Sequence, residues 1–350
     1  MSALEPMLQR IPHWLAGPGE HDGIVISSRV RLARNLAGWN FRRKLGKPRQ
    51  SELVELLTDI IGRLTGWPDA GLIRLSGLGE TERLALLERQ LASRELAGSR
   101  HPAALCVSPD ESLALMVNEE DHLRLQAIGP GLCLERELGH AVALDRELEQ
   151  AVGWAVHPRL GYLTACHTNL GTGMRASVML HLPALAETSE LKPVVRALDR
   201  LHITVRGTHG EGSEPTGHWY QISNNRSLGL DEAAIAGGIS EAAVRLIEAE
   251  RQARNVLMER NPLTIEDKVW RAWGLLSNAR SLTAAELAEH LGWLRLGMAL
   301  RVLQRPTWAI LDQLTVHVLP GHIQVLHPLT DDPRQRDQLR ARLVRTALAG

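Results

Sequence analysis

The sequence has few cysteines and no excess of charge of either sign. Its 350 residues contain three cysteines, Cys106, Cys133 and Cys166, which lie far apart and form no CxxC pair. This spacing argues against a disulfide framework and a zinc ribbon, and it favours a reducing compartment. Lys plus Arg equal Asp plus Glu at 40 each, so no overall field draws the chain to nucleic acid or to an anionic membrane. A charged ligand must therefore be bound by a local cluster.

Other familiar signals are also missing. No stretch reaches the roughly 18 to 20 apolar residues that a membrane span needs, and the N-terminal residues lack the apolar core of a signal peptide. The pattern GxxxxGK[ST] does not occur, which excludes a P-loop. We expect a soluble, cytoplasmic protein with neither a membrane nor a nucleic acid as direct partner.

Alternating and helical patterns are mixed between Ile24 and about Val205. Alternation predicts four strands, in GIVISSRVRLARN, SLALMVN, HLRLQAI and MRASVMLHL. The acidic stretch NEED, residues 118–121, is then a hairpin turn between the second and third. A period of 3.6 residues over 52–96 and 184–201 predicts helices that cover one side of the sheet.

The last third of the chain is predicted to be helical. Ser240 is the expected cap of a helix that runs to about Arg260, where Asn261-Pro262 ends it, and Thr264 is the expected cap of the next helix. Thr283 and Glu286 have the spacing of a capping box. From about residue 262 we expect a separate helical domain.

Arginines recur on or beside the predicted strands, at Arg29, Arg31, Arg124, Arg175 and Arg206. If those strands are neighbours, the guanidinium groups line one sheet face. Such a face could bind a polyphosphate, because a guanidinium group is always charged and meets phosphate oxygens with two parallel hydrogen bonds. For any single arginine a solvated strand position is the more common explanation, but it accounts less well for the whole set.

Acidic residues and a cysteine accompany the arginines: Glu119, Glu120, Asp121, Glu211, Glu214 and Cys166. Carboxylates beside a phosphate site can hold Mg²⁺ through water, or they can bind a cationic nucleophile and accept its proton. The pKa of a thiol falls near cations and hydroxyl donors, and Thr168 stands two residues after Cys166. The alternatives are a solvated acidic turn and an inert cysteine.

Four blocks, in this order, resemble the signature blocks of the ATP:guanidino phosphotransferases, the phosphagen kinase superfamily: SSRVRLARN, NEEDHLR, CHTNLGTGMRASV and RGTHGEGSE. Phosphagen kinases carry a helical domain of about a hundred residues before the first block, whereas 26 residues precede Ser27 here. Near the end of the chain RDQLRA, residues 336–341, is similar to the RDxxRA phosphoarginine-binding motif of bacterial protein arginine kinases. The combination resembles the protein arginine kinase branch.

This resemblance implies an α+β fold in which a largely antiparallel sheet flanked by helices is followed by a C-terminal helical domain. We expect an N-terminal extension over 1–23, a catalytic domain over 24–255 and the helical domain over 256–350. The implied reaction uses ATP with Mg²⁺ and phosphorylates arginine side chains of proteins. The resemblance also implies marking of proteins for a Clp-type protease, regulation of a stress-gene repressor, an activator protein and a homodimer.

The resemblance assigns residues as well. Glu120 and Glu211 would clasp the substrate guanidinium, with Cys166 beside it. The nucleotide would contact Ser27, Ser28, Arg29, Val30, Arg31, Arg124, Arg175, Ala176, Ser177, Val178, Met179, Arg206, Gly207, Thr208, His209 and Gly210. Phosphoarginine would bind allosterically to Arg336, Asp337 and Arg340. No side chain is assigned as a direct metal ligand.

Two positions depart from the family pattern. His167 stands where the family has proline after the cysteine, and Gln90 stands where related kinases often place a histidine near the nucleotide base. Two other functions stay open: a phosphagen-type kinase that acts on a small guanidino compound, and a non-catalytic phosphoarginine-binding adaptor. Retention of Glu120, Glu211 and Cys166 argues against the adaptor.

Overall fold

The centre of the molecule is an antiparallel sheet. The computed structural model describes residues 4–16, 22–65, 67, 71–207, 216–327 and 332–350. The strands are β1 (Val25–Arg34), β2 (Gly71–Arg74), β3 (Ala104–Val107), β4 (Leu113–Val117), β5 (Leu123–Pro130), β6 (Val156–His157), β7 (Gly161–Tyr162), β8 (Met174–His181), β9 (Ile203–Gly207) and β10 (Trp219–Asn224). Eight of them form one sheet in the order β2-β3-β4-β5-β1-β8-β10-β9, and β6 pairs with β7.

Helices flank this sheet and form the C-terminal region. They are α1 (Glu5–Leu8), α2 (Lys47–Ile61), α3 (Glu80–Glu88), α4 (Arg94–Ala97), α5 (Leu134–Val152), α6 (Pro183–Glu187), α7 (Leu191–Arg200), α8 (Glu232–Arg260), α9 (Pro262–Asn278), α10 (Ala284–Ala299), α11 (Trp308–Val316), α12 (Pro320–Leu326) and α13 (Pro333–Ala349). The expected α+β architecture, an antiparallel sheet with helices and a helical C-terminal region, is confirmed.

The apolar residues divide into two large cores. In the first, Val30, Leu125 and Val178 on one face of the sheet pack against α2, α5 and α8. The second lies among α9, α10, α11 and α13, where residues such as Val269 and Leu294 are fully buried. The opposite face of the sheet is covered by apolar side chains only towards its ends, which leaves its centre to polar residues.

Two of the expected helix caps are wrong. Helix α8 begins at Glu232, where the side chain of Asp231 accepts a hydrogen bond from the N–H of Ala234, and Ser240 lies inside the helix. Helix α9 begins at Pro262, so Thr264 lies in its first turn. Proline suits that position because its missing N–H has no partner in a first turn.

The cap at Thr283 is confirmed. Its hydroxyl accepts from the N–H of Glu286 at 3.1 Å, at the start of α10. Strand β2 lies inside the stretch 52–96, where helices alone were expected. It has four residues, too few for alternation to stand out.

Candidate active site

The strand order brings the five arginines to one face of the sheet. Strands β5, β1 and β8 are neighbours, and β10 and β9 follow. Arg31 pairs with Arg175, Arg124 with Ala33, and Arg206 with Gln221. Directly opposed residues of an antiparallel pair share a face. The register therefore places all five guanidinium groups on the face opposite the first core.

These arginines repel one another and are partly removed from water. Burial lowers the pKa of Arg29 to about 10, and the positive charges of Arg175 and Arg124 contribute. Burial also lowers the pKa of Arg31 well below its usual value, again with help from neighbouring arginines. The Nε atoms of Arg29 and Arg31 are buried and have no hydrogen-bond partner among the described residues. An anion with several oxygens would supply both the missing charge and the missing acceptors.

Two glutamines lie against Arg29. Its Nη1 donates to Oε1 of Gln90 at 3.3 Å, and its Nη2 donates to Oε1 of Gln221 at 3.1 Å. A small cavity at this point is lined by Ser27, Arg29, Gln90, Ser177, Met179 and Gln221. Gln221 was not expected from the sequence, because β10 was not predicted as a strand. Gln90, the departure from the family pattern, therefore lies beside the residues assigned to the nucleotide.

Several assigned residues do not point to this face. Val30, Ala176 and Val178 belong to the first core on the other side of the sheet. The hydroxyl of Ser28 is buried there too: it donates to the carbonyl of Gly131 at 2.8 Å and accepts from the N–H of Cys133. The Ser28 hydroxyl therefore points away from the arginine face, because alternate residues of a strand face opposite sides, and only the backbone of Ser28 could contact a nucleotide there.

One further assigned nucleotide residue, Gly207, lies at the end of β9. Gly207 is its last residue and pairs with Tyr220. Thr208, His209, Gly210 and the assigned catalytic Glu211 lie outside the described residues.

The acidic turn, residues 118–121, is largely buried, so the alternative explanation, a solvated acidic turn, is wrong. Asn118, Glu119 and Asp121 are fully buried. Oε1 of Glu119 accepts from Nη1 of Arg124 at 2.6 Å and from the hydroxyl of Ser93, while its Oε2 accepts from the N–H of Glu120 at 2.9 Å. Glu119 thus holds Arg124 in place, and its side chain is buried with both oxygens hydrogen-bonded.

Glu120 is the accessible carboxylate of the turn. Its side chain is 27% exposed, and Oε2 lies 3.5 Å from Nη2 of Arg124. Burial raises the pKa of Glu120, as do the negative charges of Asp121 and Glu119, while Arg124 opposes the change. A cation that approached Glu120 would lower its pKa again.

Cys166 lies in a loop that the acidic turn anchors. Its Sγ is 3.0 Å from Oγ1 of Thr168, and the thiol is partly exposed. The N–H of the preceding residue, Ala165, donates to Oδ1 of Asp121 at 2.6 Å. Burial raises the pKa of the other two thiols, Cys106 to about 12 and Cys133 to about 11, so neither forms a thiolate readily.

The RDQLRA segment begins the second turn of α13. Arg340 is buried and donates to the carbonyls of Val318 and Leu282, at 2.8 and 2.7 Å, and to Oδ1 of Asp337. Arg336 and Asp337 are partly exposed. The side chain of Arg340 therefore holds the C-terminal helices together, whereas Arg336 and Asp337 are the partly exposed members of the assigned set.

Membrane-spanning helices and clusters of metal-ligating side chains are both absent from the described part of the chain. No helix there is both long and apolar enough to cross a membrane. No group of three or more His, Cys, Asp or Glu side chains in these ranges is arranged to hold a metal ion.

Two family profiles match the chain. Residues 52–253 match the ATP:guanido phosphotransferase, C-terminal catalytic domain, and residues 262–350 match the C-terminal domain of the protein-arginine kinase McsB. A curated protein-arginine kinase of Moorella thermoacetica is 40% identical over 346 residues, which cover 98% of this chain and 99% of that protein. One from Halothermothrix orenii is 37% identical over 348 residues, covering 99% of each.

Solved structures agree in fold. The duplicated taurocyamine kinase of Schistosoma mansoni, with bound transition-state-analogue components, superposes with a TM-score of 0.60 at 25% identity, over 76% of this chain and 39% of that one. A lombricine kinase superposes with a TM-score of 0.58 at 23% identity, over 68% of this chain and 69% of that one, which shows likeness of fold alone.

Proposed function

The chain belongs to the ATP:guanido phosphotransferase family, and from its likeness to protein-arginine kinases over the whole length we infer that it is a protein-arginine kinase. It transfers the γ-phosphoryl group of ATP to arginine side chains of proteins. The observation that carries this assignment is the joint match of the catalytic domain and of the C-terminal domain.

The arginine face is the proposed site for the triphosphate. Phosphoryl transfer needs the attacking and leaving atoms in line and the oxygen charges neutralised, rather than covalent chemistry by the protein. Arg29, Arg31, Arg124, Arg175 and Arg206 supply fixed positive charge from four strands of one sheet. Mg²⁺ would enter with the nucleotide, held by phosphate oxygens and water, because Mg²⁺ usually keeps several waters and few protein ligands.

Glu120 and Cys166 are the proposed substrate-side groups, with Glu211 as a third. Arginine is a poor nucleophile because its lone pairs are delocalised and its pKa exceeds 12. The enzyme must therefore orient one nitrogen towards the γ-phosphorus and accept a proton as the N–P bond forms. The Glu120 carboxylate can orient the guanidinium and accept that proton. A Cys166 thiolate, hydrogen-bonded to Thr168, would add a second negative charge.

The cellular setting is proposed from the family. We place the enzyme in the cytoplasm as a homodimer, with an activator protein, a stress-gene repressor among its substrates, and a Clp-type protease that receives the marked proteins. Residues 1–23 are the proposed extension, 24–255 the catalytic domain and 256–350 the domain that senses phosphoarginine. Arg336 and Asp337 would contact that ligand, and Arg340 would support them.

The activity is tested by ³¹P NMR. The full chain is incubated with ATP, Mg²⁺ and either a loosely folded substrate protein or free arginine. We expect an acid-labile phosphoramidate signal on the protein substrate. The signal should be lost with Glu120→Ala and with Cys166→Ala, because each removes a group proposed to hold the guanidinium. Arg63→Ala, an exposed arginine paired with Asp59 on α2, is the matched control and should keep the signal.

The other outcomes separate the alternatives. A signal on free arginine alone would support a phosphagen-type kinase. No signal in either tube, with phosphoarginine still bound by the protein, would support the adaptor. A signal that survives both active-site substitutions would contradict the proposed roles of Glu120 and Cys166.

A further inference from the structure

One buried carboxylate joins the acidic turn to the cysteine loop. Asp121 is fully buried, and its Oδ1 accepts from the N–H of Ala165 at 2.6 Å and from Nδ2 of Asn35 at 2.6 Å. Asp121 directly follows Glu120, and Ala165 directly precedes Cys166. A single oxygen atom therefore connects the two segments that carry the accessible carboxylate and the accessible thiol.

Asn35, the last residue of the SSRVRLARN block, completes this connection. Its Nδ2 also donates to the carbonyl of Leu163 at 2.9 Å, and its Oδ1 accepts from the N–H of His122 at 3.0 Å. The loop is thus held at Leu163 and Ala165, just before the cysteine. The turn is held at Asp121 and His122, just after Glu120.

A charged carboxylate is energetically unfavourable at this buried position. Burial raises the pKa of Asp121, and the two hydrogen bonds and Arg124 only partly oppose that effect. Its Oδ2 is buried and has no hydrogen-bond partner among the described residues. A neutral amide oxygen could accept the same two hydrogen bonds without burying a charge. A charged acceptor, however, makes both hydrogen bonds stronger, and the charge of Asp121 also helps to raise the pKa of Glu120.

We propose that Asp121, together with Asn35, is a positioning residue for arginine phosphorylation, which sets the Glu120 carboxylate and the Cys166 thiol at the separation that clasps the substrate guanidinium. The inference rests on the proposed roles of Glu120 and Cys166. Asp121 is not itself a catalytic residue, because its buried side chain has no access to the substrate.

The test substitutes Asp121→Asn in the full chain, with Asp312→Asn as the matched control. Asp312 is an equally buried carboxylate with a raised pKa, paired with Arg295 far from this site in the second core. Three quantities are measured: kcat and KM for a protein substrate, the Kd for ATP, and the rate at which iodoacetamide alkylates Cys166, read by peptide mass spectrometry. Neither the Kd for ATP nor the alkylation rate requires turnover.

For Asp121→Asn we expect kcat/KM to fall on the order of 10²-fold, as for a misplacement of about 1 Å. The Kd for ATP should stay unchanged, and the alkylation rate of Cys166 should change several-fold, because a neutral amide accepts the two hydrogen bonds that anchor the loop more weakly than a carboxylate does. Asp312→Asn should leave all three at wild-type values. Asn35→Ala should reproduce the effects of Asp121→Asn, and the double variant should lose no more than either single one, because the two residues act as one unit.

Other outcomes overturn the proposal. If the alkylation rate is unchanged while activity falls equally in Asp121→Asn and Asp312→Asn, Asp121 has only a structural role. If Asp121→Asn does not fold, Asn35→Ala decides by the same criteria. If the wild-type chain phosphorylates no arginine, the proposed function fails with the positioning role, and a changed alkylation rate would then show the loop anchor alone.

Discussion

At the scale of single residues, the arginine face holds like charges together before a ligand arrives. Arg31 is the extreme case. Burial makes the largest contribution to its lowered pKa, the charges of Arg29, Arg124 and Arg175 add to that effect, and Glu119 opposes it. The ligand-free protein is therefore destabilised by an arrangement that favours anion binding. Function and stability oppose each other at this position, as at many active sites.

Arg31→Gln should separate the two effects. Removing the charge relieves repulsion in the free protein, so we expect its Tm to rise by about 2 to 4 °C for each 1 kcal/mol gained. The same change should weaken ATP binding tenfold or more, because a charged donor to phosphate is lost. Differential scanning fluorimetry and titration calorimetry measure the two values. Arg63→Gln should change neither, and a lower Tm for Arg31→Gln would contradict the account.

The raised pKa of Glu120 predicts a pH dependence. The carboxylate must be ionised to bind a guanidinium, so kcat/KM should fall as the pH drops through the pKa of Glu120. Because that pKa is raised, the fall should occur at a higher pH than for an ordinary glutamate. The bound substrate cation lowers that pKa, so kcat should fall at a lower pH than kcat/KM does. Rates measured against pH at saturating and at limiting concentrations of protein substrate give the two curves. If kcat and kcat/KM fell at the same pH, another group would be titrating.

At the scale of elements, α13 combines a structural and a proposed binding role within one motif. Arg340 satisfies the carbonyls of Leu282 and Val318, which belong to the segments before α10 and after α11. Arg336, one turn earlier, is partly exposed. An experiment that replaces Arg340 therefore alters packing as well as any binding site.

We expect Arg340→Ala to lower the free energy of unfolding by about 2 to 5 kcal/mol, because it leaves buried carbonyl groups without donors. Arg336→Ala should cost less than about 0.5 kcal/mol, as surface substitutions usually do, yet should abolish phosphoarginine binding. Urea titration and calorimetry with phosphoarginine measure both. Unchanged binding in Arg336→Ala would contradict the proposed site, and full stability in Arg340→Ala would contradict its packing role.

The sequence predicts long elements and spatial partners better than short elements and burial. Strand β1, with its clear alternation, places Arg29 and Arg31 correctly on one face. Four-residue strands such as β2 and β3 are too short for a pattern. Nor does sequence show that Glu119 is buried or that Asn35 reaches Asp121, because both facts depend on contacts between distant segments. The family blocks identify reacting groups, not the residues that hold them.

At the scale of the whole molecule, the two cores meet through a close backbone contact. Gly217, at φ +69° just before β10, lies against α10 of the second core, and a Cβ on Gly292 of that helix would stand 2.6 Å from the carbonyl oxygen of Gly217. The neighbouring rings of His218 and Trp293 pack edge to face at 5.3 Å. A second contact joins α12 to α3, where Glu88 accepts from the N–H groups of Gly321 and His322. The C-terminal helices thus contact the rest of the molecule at two separate places, just before β10 and at α3.

Gly292→Ala tests whether the first contact couples the two cores. In a free helix this change should stabilise by about 1 kcal/mol, because alanine has the higher helix propensity. Here the added Cβ would push Gly217 away, so we expect the free energy of unfolding to fall instead. The urea transition should also split into two steps, and circular dichroism and tryptophan fluorescence should then report different midpoints. Gly274→Ala on α9, where a Cβ meets nothing within 4 Å, is the matched control and should stabilise. If both substitutions raise the free energy of unfolding by similar amounts, the glycine contact does not hold the two cores together.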